Sequence, residues 1–180
     1  MLCILIFVFA LIYEIRINRT KGVFKNSIES IDFQTLLLLG GLFIIIQGIT
    51  NVGLIGDIGN LFIFISGDSI FLIYTILVWF SVVVSAFIDN IPYVATMLPV
   101  VSSISVKLGI DPTVLYFGLL AGATLGGNIT PVGASANIAA GGILRKEGHE
   151  VSVKEFTSIG IPFTLCAVVT GYILIWLIYA

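Results

Sequence analysis

The chain has 180 residues, of which 58% are hydrophobic and 10% charged, with a mean hydropathy of +1.17. Those values exclude a soluble globular domain and make the chain an integral membrane protein. A net charge of -2 without a basic patch leaves no nucleic-acid footprint, and Cys3 and Cys166, two cysteines without CxxC spacing, suggest packing rather than a disulfide framework or metal cluster.

In chain order, residues 1–13 are apolar but cover only about 20 Å as a helix, too short to cross by themselves. They lack a basic n-region and a cleavage site, so they read as a partial or clipped span rather than a signal peptide. Residues 14–32 gather Glu14, Arg16, Arg19, Lys21, Lys25, Glu29 and Asp32 into a polar loop. Residues 33–51 are long enough for a span, and 52–68 read as a connection carrying Asp57 and Asp68 without a cation.

Residues 69–88 make a further span, interrupted by Asp89-Asn90-Ile91-Pro92 and followed directly by apolar 91–106. No hydrated loop fits between them, so 69–106 is expected to form a tight helical hairpin. Residues 113–125 and 133–145 are each too short to cross, and LGGNITPVG between them makes 113–145 one crossing broken in the middle. Residues 157–179 form the last span.

Broken backbone inside a bilayer is costly, because each unpaired N–H or C=O loses several kcal/mol, so such breaks belong where neighbours or a watery cavity receive them. Gly126 and Gly127 loosen the helix, Pro131 removes a donor, and Gly133 opens the second half. Asn128, Thr130, Ser135 and Asn137 are placed to recapture the freed groups. The first half-helix, ending at Leu125, offers carbonyls to a cation, and the second, starting near Gly133, aims N–H groups at the break. Gly118, Gly122 and Gly126, four apart, read as a close-packing face. Asp89 costs about 2.5 to 3.5 kcal/mol even on a permissive insertion scale, which argues for a function, with an interfacial carboxylate as the alternative.

The loops 14–32 and 145–155 carry Lys and Arg where 52–68 does not, so both are expected on the cytoplasmic side, with an even number of crossings between them. Intramembrane proteolysis is excluded by pattern. Asp89 has no second deep carboxylate, Gly133-Ala134-Ser135-Ala136 lacks the last glycine of a serine-protease motif, and His149 lies among charges.

SAFIDNIPYVATMLPV (85–100) and GGNITPVGASANIAAGG (126–142) resemble the paired motifs of the ion transporter superfamily, in the branch of arsenite permeases, the pink-eyed dilution protein and citrate-transporter-like proteins. IDFQTLLLLGGLFIIIQGI and KEFTSIGIP extend the resemblance over most of the chain from Ile31. It implies an all-α membrane protein, the C-terminal half of an inverted-repeat transporter with a re-entrant hairpin and a discontinuous helix. It further implies a secondary active transporter of an arsenite-like oxyanion or a carboxylate, coupled to H+ or Na+, with Na+/H+ antiport as an alternative. The implied partners are the bilayer, a homologous N-terminal half and a second copy in a homodimer, in a multi-pass cell-membrane protein without a cofactor beyond the coupling ion.

The hairpin tip aligns with a sodium-binding Ser-Asn-Thr type motif at Asp89, Asn90 and Ile91. Asp89 puts a titratable carboxylate there and Ile91 removes a side-chain oxygen, so a proton or single-carboxylate cation site at Asp89 and Asn90 is the closer expectation. Asn128, Thr130, Ser135 and Asn137 complete the expected ion and substrate residues, with Pro92, Gly126, Gly127, Pro131 and Gly133 as the breaks. A non-transporting membrane assembly subunit is the rival from another class; it gives no reason for two polar breaks.

Overall fold

Apolar sequence in a medium without water has to satisfy its own backbone, and helices do so within one segment. The computed structural model describes residues 33–67 and 69–180, together with Ile6, Phe9, Ala10 and Tyr13. Apart from those four residues, the expected partial span 1–13 and the loop 14–32 lie outside the described residues. Among the described residues the secondary structure is entirely helical: α1 (Phe33–Asn51), α2 (Leu54–Ser66), α3 (Ile70–Ser85), α4 (Asn90–Leu108), α5 (Thr113–Gly126), α6 (Ser135–Lys146) and α7 (Val153–Tyr179). The chain divides into two units, Met1–Gly41 and Leu42–Ala180. In the first, the described residues are helical; the second contains everything that follows.

Among the described residues two helices, α4 and α7, are long and apolar enough to cross a bilayer, while α3 and α5 are shorter apolar helices. The second part of α1, Phe43–Asn51, meets α2 at 73°, with Gly53 at the bend in the left-handed region (φ 84) that suits glycine.

The segment expected as a connection over 52–68 therefore contains a helix of 13 residues. Asp57 and Asn60 disguise it, yet Ile55, Gly59, Phe62 and Ser66 are its buried residues and repeat at helical spacing. Gly59 lets α2 approach α4, where an added Cβ would stand 3.4 Å from Ser103 Oγ and 3.5 Å from Ile104 Cγ1. Lys107 Nζ, near the end of α4, donates to Gly56 O at 2.9 Å and Asn60 Oδ1 at 2.7 Å, tying the two helices together.

The centre is the contact of α3 with α5, and the glycine row makes it. A Cβ on Gly118 would lie 2.5 Å from the Tyr74 ring, one on Gly122 2.5 Å from Val78 O, and one on Gly126 2.5 Å from Val82 O. Partners advance together along both helices, so α3 and α5 run parallel. In lipid such close approach supplies association that apolar burial supplies in water. Buried Ile73, Tyr74, Leu77, Val100, Val101, Ile104, Leu115 and Leu119 fill the surrounding core.

The α4–α5 turn uses Gly109 as a left-handed cap (φ 65). There Asp111 accepts from Thr113 N at 2.7 Å, and the Thr113 hydroxyl and N–H hold its carboxyl below the usual range. Helix α7 opens with Ser152 accepting from Glu155 N at 3.2 Å, a Ser-x-x-Glu start. It runs antiparallel to α3 and α5. Thr164 Oγ1 donates to Leu125 O at 3.5 Å, and further along Tyr74 Oη donates to Tyr172 O at 2.8 Å.

Candidate ion and substrate site

Two interruptions of helix meet in space: residues 86–89, between α3 and α4, and 127–134, between α5 and α6. Gly133 is what lets them touch. A Cβ there would stand 2.6 Å from Gly127 O, 2.8 Å from Ser85 O and 2.9 Å from Ala86 O, so any other residue pushes the two turns apart. Thr130, buried, donates its hydroxyl to Ala86 O.

Asp89 sits at the junction and explains its own presence. Its Oδ1 accepts from Ile91 N at 3.1 Å, capping α4, and its Oδ2 accepts from Ser135 N at 3.0 Å and from Ser135 Oγ. Ser135 is the first residue of α6. One carboxylate thus serves two helix N-termini, each carrying unpaired N–H groups and a positive dipole end. Pro92 falls in the first turn of α4, where a missing N–H costs nothing.

The remaining polar residues hold the freed carbonyls. Asn137 Nδ2 donates to Gly127 O at 2.9 Å and Thr130 O at 3.1 Å. Asn128 Nδ2 donates to Leu125 O at 3.3 Å and reaches Thr124 O at 3.5 Å. The carbonyls at the end of α5, expected to be open to a cation, are met within the chain: Leu125 O accepts from Asn128 N at 3.0 Å and Gly126 O from Ile129 N at 3.0 Å. With their donors committed to backbone, Asn137 and Asn128 retain side-chain oxygens as acceptors.

Asp89, Ser135, Thr130, Asn137, Gly127 and Gly133 therefore come together, and Asn128 joins them through the end of α5. Pro131 lies in the same loop. Asn90 goes elsewhere. It is the first residue of α4 and lines a largely apolar groove of about 360 Å³ with Phe43, Val94, Leu98, Leu120 and Thr124. That groove lies beside the polar junction and contains none of Asp89, Ser135 or Asn137. The expected pairing of Asp89 with Asn90 is thereby separated into two surroundings.

Three contributors escape a reading of the sequence. Ser85 donates its hydroxyl to Ala123 O at 2.6 Å, anchoring α3 to α5 one turn before the junction. Gly160 of α7 lies under the break, where an added Cβ would be 2.5 Å from Asn128 O. Thr164, fully buried, reaches the end of α5. Ser85 stands in a quoted motif, and Gly160 precedes Pro162 in α7, but neither position names its partner.

A family model described as "Citrate transporter" matches residues 4–180. The chain is 35% identical over 154 residues to an "uncharacterized transporter" of Mycobacterium tuberculosis (strain ATCC 25618 / H37Rv), covering 84% of this chain and 36% of that protein. It is 34% identical over 157 residues to a "46 kDa membrane protein" of Mycobacterium leprae, covering 86% and 37%. It is also 35% identical over 161 residues to the "P protein" of Homo sapiens, covering 84% and 19%. The chain therefore spans little more than a third of the first two relatives. No solved structure matches it.

Proposed function

Because this chain belongs to the citrate transporter family, we propose that it is part of a multi-pass secondary active transporter that moves a small carboxylate, coupled to H+ or Na+. It is a membrane transporter of the citrate transporter type, in a family of carriers rather than of enzymes.

The observation that carries the reading is Asp89, an acidic side chain shared by the N-termini of α4 and α6. A carboxylate in that position can take up a proton or Na+ and so lose its charge. Asn137 and Asn128, whose amide hydrogens hold backbone, add neutral oxygens to a cation's surroundings. Once Asp89 is neutralised, the two helix ends are free to attract the carboxylate group of an anionic cargo. An oxyanion carried by thiols fits less well, since Cys166, the cysteine among the described residues, is exposed on α7.

Loops 14–32 and 145–155 are proposed to be cytoplasmic. A homologous second half, and a second copy in a homodimer, are the proposed partners. The test is uptake of labelled citrate by the full-length protein in liposomes under an imposed Na+ or pH gradient. Uptake driven by one gradient is expected, and its loss in Asp89→Asn. Absence of citrate uptake under both gradients overturns the cargo, and coupling unchanged in Asp89→Asn overturns the carboxylate's role.

A further inference from the structure

The two ends of α7 differ in chemistry, and together they fix where a bilayer surrounds the junction. At its start stand Lys154 and Glu155, preceded by the exposed segment 147–152. At its far end is a cluster of rings: Trp176 packs edge-on against Phe71 with centroids 4.9 Å apart, Tyr172 stacks on Tyr74 at 5.0 Å, and Tyr179 stacks on Phe117 at 4.7 Å. Charged side chains belong in water or headgroups, and aromatic rings that reach the surface gather at the membrane–water boundary; of these, Tyr179, Phe71 and Phe117 are exposed, while Tyr74 is buried in the core. Helix α7 has 27 residues, about 40 Å at 1.5 Å per residue, the thickness of a bilayer with its headgroups.

The break touches this ruler near one end. Gly160 packs on Asn128 O and Ile129 O, and it lies about 7.5 Å along the axis from Glu155 but about 28 Å from Tyr179. The same asymmetry appears on α3, which carries Phe71 and Tyr74 at its start and reaches Ser85, one turn before Asp89, about 20 Å further on. Measured from the ring cluster that α3 and α7 share, both helices put the junction close to the end of α7 that carries charge. Helix α6 has no buried residue among its positions and begins with small, exposed Ser135 and Ala136, leaving the carboxylate lightly covered on that side.

We infer that the Asp89–Ser135 junction lies not at the bilayer midplane but about a quarter of the way across, open to water from the side of residues 147–155. This extends the transport reading by naming the side from which the proposed site exchanges its ion in this conformation; it rests on that reading only for the use of the carboxylate.

The test uses the full-length protein, freed of cysteine, in oriented liposomes. Val132→Cys and Phe87→Cys place thiols at the two turns, on side chains that are exposed, and Glu155→Cys and Tyr179→Cys mark the two boundaries. A charged, impermeant maleimide is expected to label positions 132 and 87 from the Glu155 side on the order of a hundredfold faster than from the Tyr179 side, the discrimination that an intramembrane charge penalty imposes on a charged reagent. Spin labels at the same positions are expected to be relaxed more by water-soluble nickel than by oxygen. Protection from both sides with oxygen-dominated relaxation, or faster labelling from the Tyr179 side, overturns the inference, and either position decides it if the other variant fails to insert. Citrate uptake is measured separately: normal depth without uptake counts against the transport reading alone.

Discussion

Asp89 is held by three donors, and that arrangement changes what its substitution tests. Asn caps a helix about as well as Asp, so Asp89→Asn preserves the bond from Ile91 N. Its amide, however, turns a donor toward Ser135 N and Ser135 Oγ, or else surrenders the α4 cap. The expected cost is about 1 to 3 kcal/mol, from unsatisfied donors, together with loss of gradient-driven uptake. Adding Ser135→Ala removes one opposing donor and is expected to recover part of the stability, measured as Tm in detergent, without recovering uptake. Recovery of both would make the carboxylate a cap and nothing more. Asn137→Ala strips Gly127 O of its side-chain donor and leaves Thr130 O only the Gly133 N–H at 3.3 Å; it is expected to cost about 2 kcal/mol, with weaker citrate binding read as a raised KM. An unchanged Tm would show that water replaces the amide without cost.

The contact of α3 with α5 depends on glycines where any Cβ meets backbone. Gly122→Ala puts a methyl 2.5 Å from Val78 O and 2.9 Å from Ser81 Cβ, and neither backbone nor a buried Ser81 can yield. Helix separation is expected, costing about 1 to 3 kcal/mol; Gly141→Ala, with nothing within 4 Å of its Cβ, is the control expected to leave Tm unchanged. Equal Tm values for both variants would dismiss the glycine row. That row was legible from its four-residue spacing, and the breaks from Asp89-Asn90-Ile91-Pro92 and Gly126 through Gly133. The partner of the glycines was not, because spacing identifies a face and not what it meets: the legs of the expected hairpin pack chiefly on other helices, α3 against α5 and α4 against α2 and α5. Helix α2 was hidden for a related reason. Asp57 and Asn60 stand between the members of its buried stripe in the sequence, and the Lys107 bonds that support it come from the far end of α4.

At the scale of the molecule, the surface around the junction carries more apolar area than its polar centre explains. Phe87 is 70% exposed, Ile91 58%, Val132 56% and Ile138 58%, and they surround the two helix ends that Asp89 caps. Helix α6, attached there, has no buried residue, so among the described residues it is supported at its first turn rather than along its length. Alternating access of the kind proposed needs one body to move against another around a fixed site. Helices α3, α4, α5 and α7 make one such body, and the relatives in which this sequence matches 36% to 37% of the length have room for a second. The 180 residues reconstituted by themselves are therefore expected to insert into liposomes but to take up no more citrate than empty liposomes. Co-reconstitution with a homologous N-terminal half is expected to restore gradient-driven uptake and to shield Ile138→Cys from lipid-soluble thiol reagents. Robust uptake by the 180 residues as a monomer would show that the exposed faces meet lipid alone and that no second body is required; uptake by a dimer of this chain would replace the homologous half with a second copy.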